Sequence, residues 1–236
     1  MNEAYVAADH LARDNDAYAF GKYQVTLRWL RDLPRGAPIA NIGCGSGVFN
    51  RLAAAAGFRV LAFEPDPDAF AIADATRPAG CVVENRGLAE LEEVGAVGAL
   101  VLHDVLEHIE DDAQAVAHLA RLCSDGCQRI VLSVPALPRL FGYHDEQLGH
   151  FRRYTRRSLS EVLCSRFDIG RLRSYGFSGI PITWWFSKIR RHPYPTATSR
   201  SAMTRVMSRW WELEARVPTP IGTSLLCDAR IWQPGL

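Results

Sequence analysis

No apolar run in the 236 residues approaches the ~18 needed to cross a bilayer, so no membrane-spanning segment is predicted. The six cysteines (Cys44, Cys81, Cys123, Cys127, Cys164 and Cys227) lack a paired C-x-x-C spacing and fit reduced thiols in a cytoplasmic protein. Met1 to Asp16 is polar and acidic, without the apolar centre of a secretion signal. Internal repeats and low-complexity tracts are absent, and charged residues at 22% with apolar ones at 48% argue against disorder. The length suits one α/β domain with a sizeable core and leaves little for a second. Net charge is also scarce, at +1, but it hides a division. Residues 1–112 hold 9 Lys/Arg against 18 Asp/Glu, and residues 113–236 hold 18 against 8. A basic second half favours an anionic substrate.

What is present is a run of three glycines at alternate positions. Ile39-Ala40-Asn41-Ile42 reads as a buried strand, and it breaks into Gly43-Cys44-Gly45-Ser46-Gly47. Glycine lets a ligand approach the backbone, and a helix starting after Gly47 would turn its N–H groups toward that ligand. Glu64 ends the next apolar run, where a carboxylate can accept hydrogen bonds from both hydroxyls of a ribose. A dinucleotide fingerprint needs a glycine at position 48, and Val48 stands there.

Around this turn, strands alternate with helices. Strands are predicted over 39–43, 59–63, 81–84, 99–103, 129–134, 167–175 and 224–232. Helices are predicted over 17–33, 48–56, 67–75, 111–123 and 155–165. Such alternation of apolar strands and helices means a parallel sheet covered on both faces. Residues 1–36 form an N-terminal helical segment, 37–135 the core, and 136–157 a loop and helix start rich in aromatic and charged side chains. About 48 residues between the last two strands exceed a minimal doubly wound sheet. Within them, 178–215 reads as a cap over the substrate cleft, with Trp184, Trp185 and Phe186 and a second helix bearing Met203, Val206, Met207, Trp210, Trp211 and Leu213. The duller reading has these aromatics simply packing on the sheet.

The motif Gly43-x-Gly45-x-Gly47, with Phe63-Glu64-Pro65-Asp66 and Leu102-His103-Asp104-Val105-Leu106-Glu107-His108, resembles the class I S-adenosylmethionine-dependent methyltransferases, in their small-molecule, ubiquinone-methyltransferase-like branch. Leu148-Gly149-His150-Phe151-Arg152-Arg153-Tyr154 is similar to a bacterial biosynthetic branch. The resemblance implies a Rossmann-like, doubly wound, mostly parallel seven-stranded sheet with an antiparallel last strand and a helical, aromatic cap insert. It implies S-adenosyl-L-methionine as cofactor, held by Asn41, Gly43, Cys44, Gly45 and Gly47, by Glu64 and Pro65 at the ribose, by Gly87 and Leu88 at the adenine, and by His103. The family's usual acid at position 41 is replaced here by asparagine.

Methyl transfer from a sulfonium is an in-line displacement, so positioning can supply ~7–11 kcal/mol of the barrier and a base is needed only where the acceptor loses a proton. His144, with Asp145 or Glu146 as its acid partner, is the first candidate for that base, with His103 at the end of the fourth strand as another catalytic candidate. His150, Arg152, Arg153 and Tyr154 are expected to bind the acceptor, the arginines suiting a carboxylate or phosphate, and Trp184 and Trp185 to close over it. No metal is expected. The weighed alternative is a mixed N/O site from Asp104, Glu107 and His108 with His144 or His150, which resembles the metal-supporting motif of some relatives. The partner is a small molecule. Nucleic acid is disfavoured because no Asn/Asp-Pro-Pro-Tyr/Phe motif follows the fourth strand. A homodimer is allowed for. The competing readings are a lipid-linked acceptor and an inactive cofactor-binding scaffold.

Overall fold

The computed structural model describes Tyr5 and residues 16–124, 127–191 and 202–232. Helix α1 (Ala17–Trp29) is capped by Asp16, whose carboxylate accepts from the Tyr18 and Ala19 amides. A short 3₁₀ turn, Leu30–Asp32, ends it. The core then runs β1 (Pro38–Ile42), α2 (Val48–Ala55), β2 (Arg59–Phe63), α3 (Pro67–Ala75), β3 (Cys81–Glu84), β4 (Ala99–His103), α4 (Asp112–Ser124) and β5 (Arg129–Pro135). After it come α5 (Tyr143–Leu148), α6 (Arg156–Leu163), β6 (Phe167–Tyr175), α7 (Gly179–Trp184), α8 (Ala202–Arg216) and β7 (Ser224–Ile231).

The seven strands form one sheet in the order β3-β2-β1-β4-β5-β7-β6. The pairs β1–β2, β1–β4, β2–β3 and β4–β5 are parallel, and β7 runs antiparallel to both β5 and β6. This is the expected doubly wound sheet with its antiparallel last strand. Alternation along the strands decides which face each side chain covers. Ala40, Ile42, Leu100 and Leu102 join the core under α4 and α6, with Leu119, Leu159 and Phe167. Ile39, Ala99 and Val101 enter the core on the other face, with Leu27, Leu30 and Phe49. Both faces are dry, as near-continuous apolar strands require.

Two stretches differ from the sequence reading. The post-β5 segment, expected as a loop, contains α5, whose first turn is closed by Asp145 accepting from the Gly142 amide at 2.9 Å. Asp104, Glu107 and His108 have the spacing of one helical face, but residues 104–108 do not form a continuous helix. Asp104 adopts a left-handed φ of 54°, and only Leu106–His108 form a 3₁₀ turn. Between β6 and β7, α7 widens into a π-helix over Trp185–Arg190, and α8 follows. Trp211 and Ala215 of α8 pack with Val25 of α1, Tyr175 and Leu226, so this helix is braced on α1 and the sheet. Met203, Val206 and Met207, expected on the apolar face of α8, lie outside the described side chains.

Candidate functional site

The three glycines take left-handed φ values of 68°, 54° and 78° at Gly43, Gly45 and Gly47. A Cβ on Gly43 would sit 2.6 Å from Val105 Cγ2, and one on Gly47 would sit 3.2 Å from the Ala73 Cα. A side chain is therefore strained by conformation at all three positions and crowded as well at Gly43 and Gly47. Gly43 and Cys44 donate their amides to the Phe63 carbonyl at 2.8 and 3.0 Å, which ties the turn to the end of β2. These two amides are thus spent inside the protein.

Gly45 donates its amide to Glu64 Oε2 at 2.7 Å, and Asp66 donates to Glu64 Oε1 at 3.0 Å. Glu64 is 5% exposed, and burial raises its pKa above the ordinary value while the two amides pull it back. Asn85 Nδ2 donates to the Glu64 carbonyl at 2.7 Å, which fixes the strand end. Gly87 brings the β3 loop to the same place, since a Cβ there would lie 3.3 Å from Pro65 Cβ, and Leu88 is buried behind it. Asn41, where the family motif has an acid, is buried and donates to Asn50 Oδ1 at 2.7 Å, a neutral brace between β1 and α2. Burial, with Glu64 nearby, pushes the Cys44 thiol up to about 12, so it is no nucleophile.

The first half of helix α1 lies over the carboxyl ends of β4 and β5 and the amino end of the antiparallel β7. Its residues Tyr18, Lys22 and Thr26, spaced four apart, share one face. Lys22, 2% exposed, forms an ion pair with Asp104 Oδ2, and Ser133 donates to Asp104 Oδ1 at 3.0 Å. Thr26 Oγ1 is 2.9 Å from His103 Nε2, and the His103 ring is wedged between Tyr23 and Phe49 at 4.8 and 4.7 Å between centroids. Tyr18 Oη shares 2.7 Å hydrogen bonds with Thr223 and Ser224, and burial raises its pKa beyond the working range. Sequence reasoning missed Tyr18, Lys22 and Thr26. The available signal was a lysine and a threonine on the stripe that α1 turns inward.

The segment after β5 is drawn together by Asp145, which is fully buried. Its Oδ1 takes His150 Nδ1 at 2.9 Å and Arg153 Nε at 2.8 Å. Burial alone would raise this carboxyl, but the His150 hydrogen bond and the Arg153 charge outweigh it and hold the pKa at about 2. The partner of Asp145 is therefore His150, and His144 instead meets Tyr5 Oη through Nδ1 at 2.7 Å. Arg152 pairs with Asp112 at 2.8 Å and donates to the Glu110 carbonyl. Tyr154 is 2% exposed and donates to Asp112 Oδ2 at 2.8 Å. Arg152, Arg153 and Tyr154, expected on the acceptor, are thus committed to anchoring the segment against α4 and β5. Trp184 and Trp185 are half exposed, at 49% and 47%, not closed in a pocket.

The profile of the methyltransferase domain family matches residues 13–168, which takes in α1, the glycine turn, Glu64 and the Asp145 segment. The chain belongs to that family. It is a class I S-adenosylmethionine-dependent methyltransferase. Solved structures agree on the fold. An S-adenosylmethionine-dependent methyltransferase from Mesorhizobium loti is 18% identical, with 87% of this chain and 95% of that one covered and a TM-score of 0.60. Magnesium protoporphyrin IX methyltransferase from Synechocystis PCC 6803, with S-adenosylmethionine bound, is 18% identical over 89% and 80% of the chains, TM-score 0.53. Phosphoethanolamine N-methyltransferase 2 of Haemonchus contortus is 14% identical over 90% and 52%, TM-score 0.60. No curated protein sequence matches the chain.

The methyltransferase also gathers a set of potential metal ligands. Glu107, His108 and His150 each offer one ligand atom, all within 4.8 Å of one another, and the His108 and His150 rings stand perpendicular at 4.5 Å. This set differs from the alternative weighed in the sequence, because Asp104 belongs to Lys22 and His144 to Tyr5. Among the described residues, no helix is long and apolar enough to cross a membrane.

Proposed function

We propose that this methyltransferase passes the methyl group of S-adenosylmethionine to an oxygen or nitrogen of a small anionic acceptor, as part of a bacterial biosynthetic pathway in the cytoplasm. When bound, S-adenosylmethionine supplies a methyl group on a sulfonium, already poised for displacement. Glu64, fixed by two amides, accepts from the ribose hydroxyls beside Pro65. Gly43, Cys44, Gly45 and Gly47 give the methionine portion a backbone surface without side chains, and Gly87 and Leu88 wall the adenine side.

The observation that carries the acceptor half is the buried Lys22–Asp104 pair beneath α1, one residue beyond His103 and in van der Waals reach of the glycine turn through Val105. Lys22 meets an anionic group on the acceptor while holding Asp104 in place through their ion pair. Asp104 accepts a hydrogen bond from the acceptor O–H or N–H and so aims its lone pair at the methyl carbon. Attack forms the new C–O or C–N bond as the C–S bond breaks, leaving S-adenosylhomocysteine. The displaced acceptor proton goes to His150, whose imidazolium Asp145 supports; this replaces the His144–Asp145 pairing expected from sequence.

Transfer of labelled methyl from S-adenosylmethionine to a panel of small carboxylates and phosphates tests this reading. Wild type should label at least one, and Lys22→Met should lower kcat/KM for it about tenfold or more while S-adenosylhomocysteine affinity holds. Labelling indifferent to Lys22→Met and to Asp104→Asn would contradict the assignment.

A further inference from the structure

Helix α7 and its π-helical continuation have their apolar side on the outside. The face turned to the protein carries Gly179, Thr183 and Ser187, all buried. The outward face carries Trp184, Trp185 and Ile189, the last 52% exposed. A helix that serves the core does the reverse. Small inward residues let it lie close to the enzyme: a Cβ on Gly142 would meet the Ser187 carbonyl at 2.8 Å.

The aromatic surface extends beyond this helix. Glu214 of α8 accepts from the Gly176, Phe177 and Ser178 amides at 3.1, 2.9 and 3.0 Å, and also from Trp210 Nε1 at 2.9 Å. One buried carboxylate thus holds the segment before α7 against α8, tying exposed Trp210 (52%) to the stretch that carries exposed Phe177 (49%).

Charge supplies the complement. Lys188 and Arg190 are exposed on the same helix, and Arg191 is exposed just past its end. From Ile169 to Trp211 the chain has eight Lys/Arg and no Asp or Glu. Indole rings, an isoleucine and basic side chains on one surface, where the neighbouring acid Glu146 is already paired with Arg191, are what an interfacial helix presents to headgroups and upper acyl chains. A nucleic acid would use the cations and leave Ile189 and the outward indoles without an apolar environment. We propose that the outer face of residues 177–191 docks the enzyme on an anionic phospholipid surface. The docked helix is joined to the acceptor-side segment, since Arg191 pairs with Glu146 of α5 at 2.9 Å, next to Asp145.

Flotation of the full chain with vesicles tests the proposal. Phosphatidylcholine vesicles containing phosphatidylglycerol should carry the protein up the gradient, and phosphatidylcholine alone should carry much less. The pairs Trp184→Ser with Trp185→Ser, and Lys188→Glu with Arg190→Glu, should each cut the floated fraction about fivefold or more. Both should keep wild-type S-adenosylhomocysteine affinity by calorimetry, which shows that they fold. Should either variant fail to fold, quenching of wild-type tryptophan fluorescence by brominated phosphatidylglycerol decides: quenching is expected, and its absence overturns the proposal. It is equally overturned if wild type does not float, or if charge reversal abolishes binding while the tryptophan variant floats normally and wild type binds RNA homopolymer instead.

Discussion

His150 Nδ1 stands 2.9 Å from Asp145 Oδ1, while His144, adjacent to Asp145 in sequence, directs its own Nδ1 to Tyr5. On α5, neighbours in sequence point about 100° apart, so Asp145 cannot serve His144 and is free to reach the chain beyond Gly149. The histidine held in one orientation is therefore His150, and the same carboxylate neutralises Arg153.

Asp145→Asn should consequently do two things. It strips Arg153 of its buried counter-charge, which typically costs about 3–5 kcal/mol, and it loosens His150. Urea unfolding should show the stability loss, and turnover should fall with it. Because the Asp145 pKa is depressed to about 2 from an ordinary 3.8, the wild-type contribution is complete above pH 3.8 and drains away as pH falls toward 2. The acid arm of the stability curve should move accordingly in the variant. His144→Ala, by contrast, should leave the Asp145 network intact.

Removing Lys22 should separate acceptor from cofactor. Lys22→Met leaves Asp104 buried without its cation, so acceptor turnover should drop about tenfold or more while S-adenosylhomocysteine binds as before. Parallel calorimetry and initial rates check this. An equal loss in both would place Lys22 in general stability only.

Arg129 offers a prediction about the scaffold alone. Its guanidinium is 4% exposed and binds Asp228 through Nε and Nη2 at 2.8 and 2.9 Å, Asp32 at 2.6 Å and the Trp29 carbonyl at 2.7 Å. It stitches the end of α1 to β5 and β7. Arg129→Met strips buried Asp228 of its close, bidentate cation and leaves it only Arg171 at 3.6 Å, so it should cost up to about 3–5 kcal/mol by denaturant titration, with kcat of the folded fraction unchanged.

The strands and the glycine turn were readable because each depends on local pattern. Ile39, Ala40 and Ile42 are apolar since both faces of β1 are covered, and three closely spaced glycines answer a backbone held at left-handed φ. Glu64 was readable because it ends a strand. The acceptor side was not, because its parts meet only in the fold. Lys22 and Asp104 lie 82 residues apart and join only once α1 lies across the sheet ends. The arginine pair misled for a related reason. Arg152 and Arg153 carry charge suited to a carboxylate ligand, but Asp112 and Asp145 supply those carboxylates from within. The insert was legible as an addition to the sheet. That Trp211 packs inward and Trp184 outward was not, because helical spacing in so aromatic a stretch fits either face.

The most direct test of the cofactor assignment is S-adenosylhomocysteine affinity measured calorimetrically against pH in wild type and Glu64→Gln. The Glu64 pKa is raised by burial, so its carboxylate is lost on acidification through a midpoint above the ordinary 4.5, and over that window the apo fold gains stability while ribose binding weakens. Wild-type affinity should therefore fall on that descent, and Glu64→Gln should bind about 1–3 kcal/mol more weakly near neutral pH with a flat profile. Equal affinities at neutral pH, or parallel pH profiles in the two proteins, would contradict the claim that this carboxylate clasps the ribose.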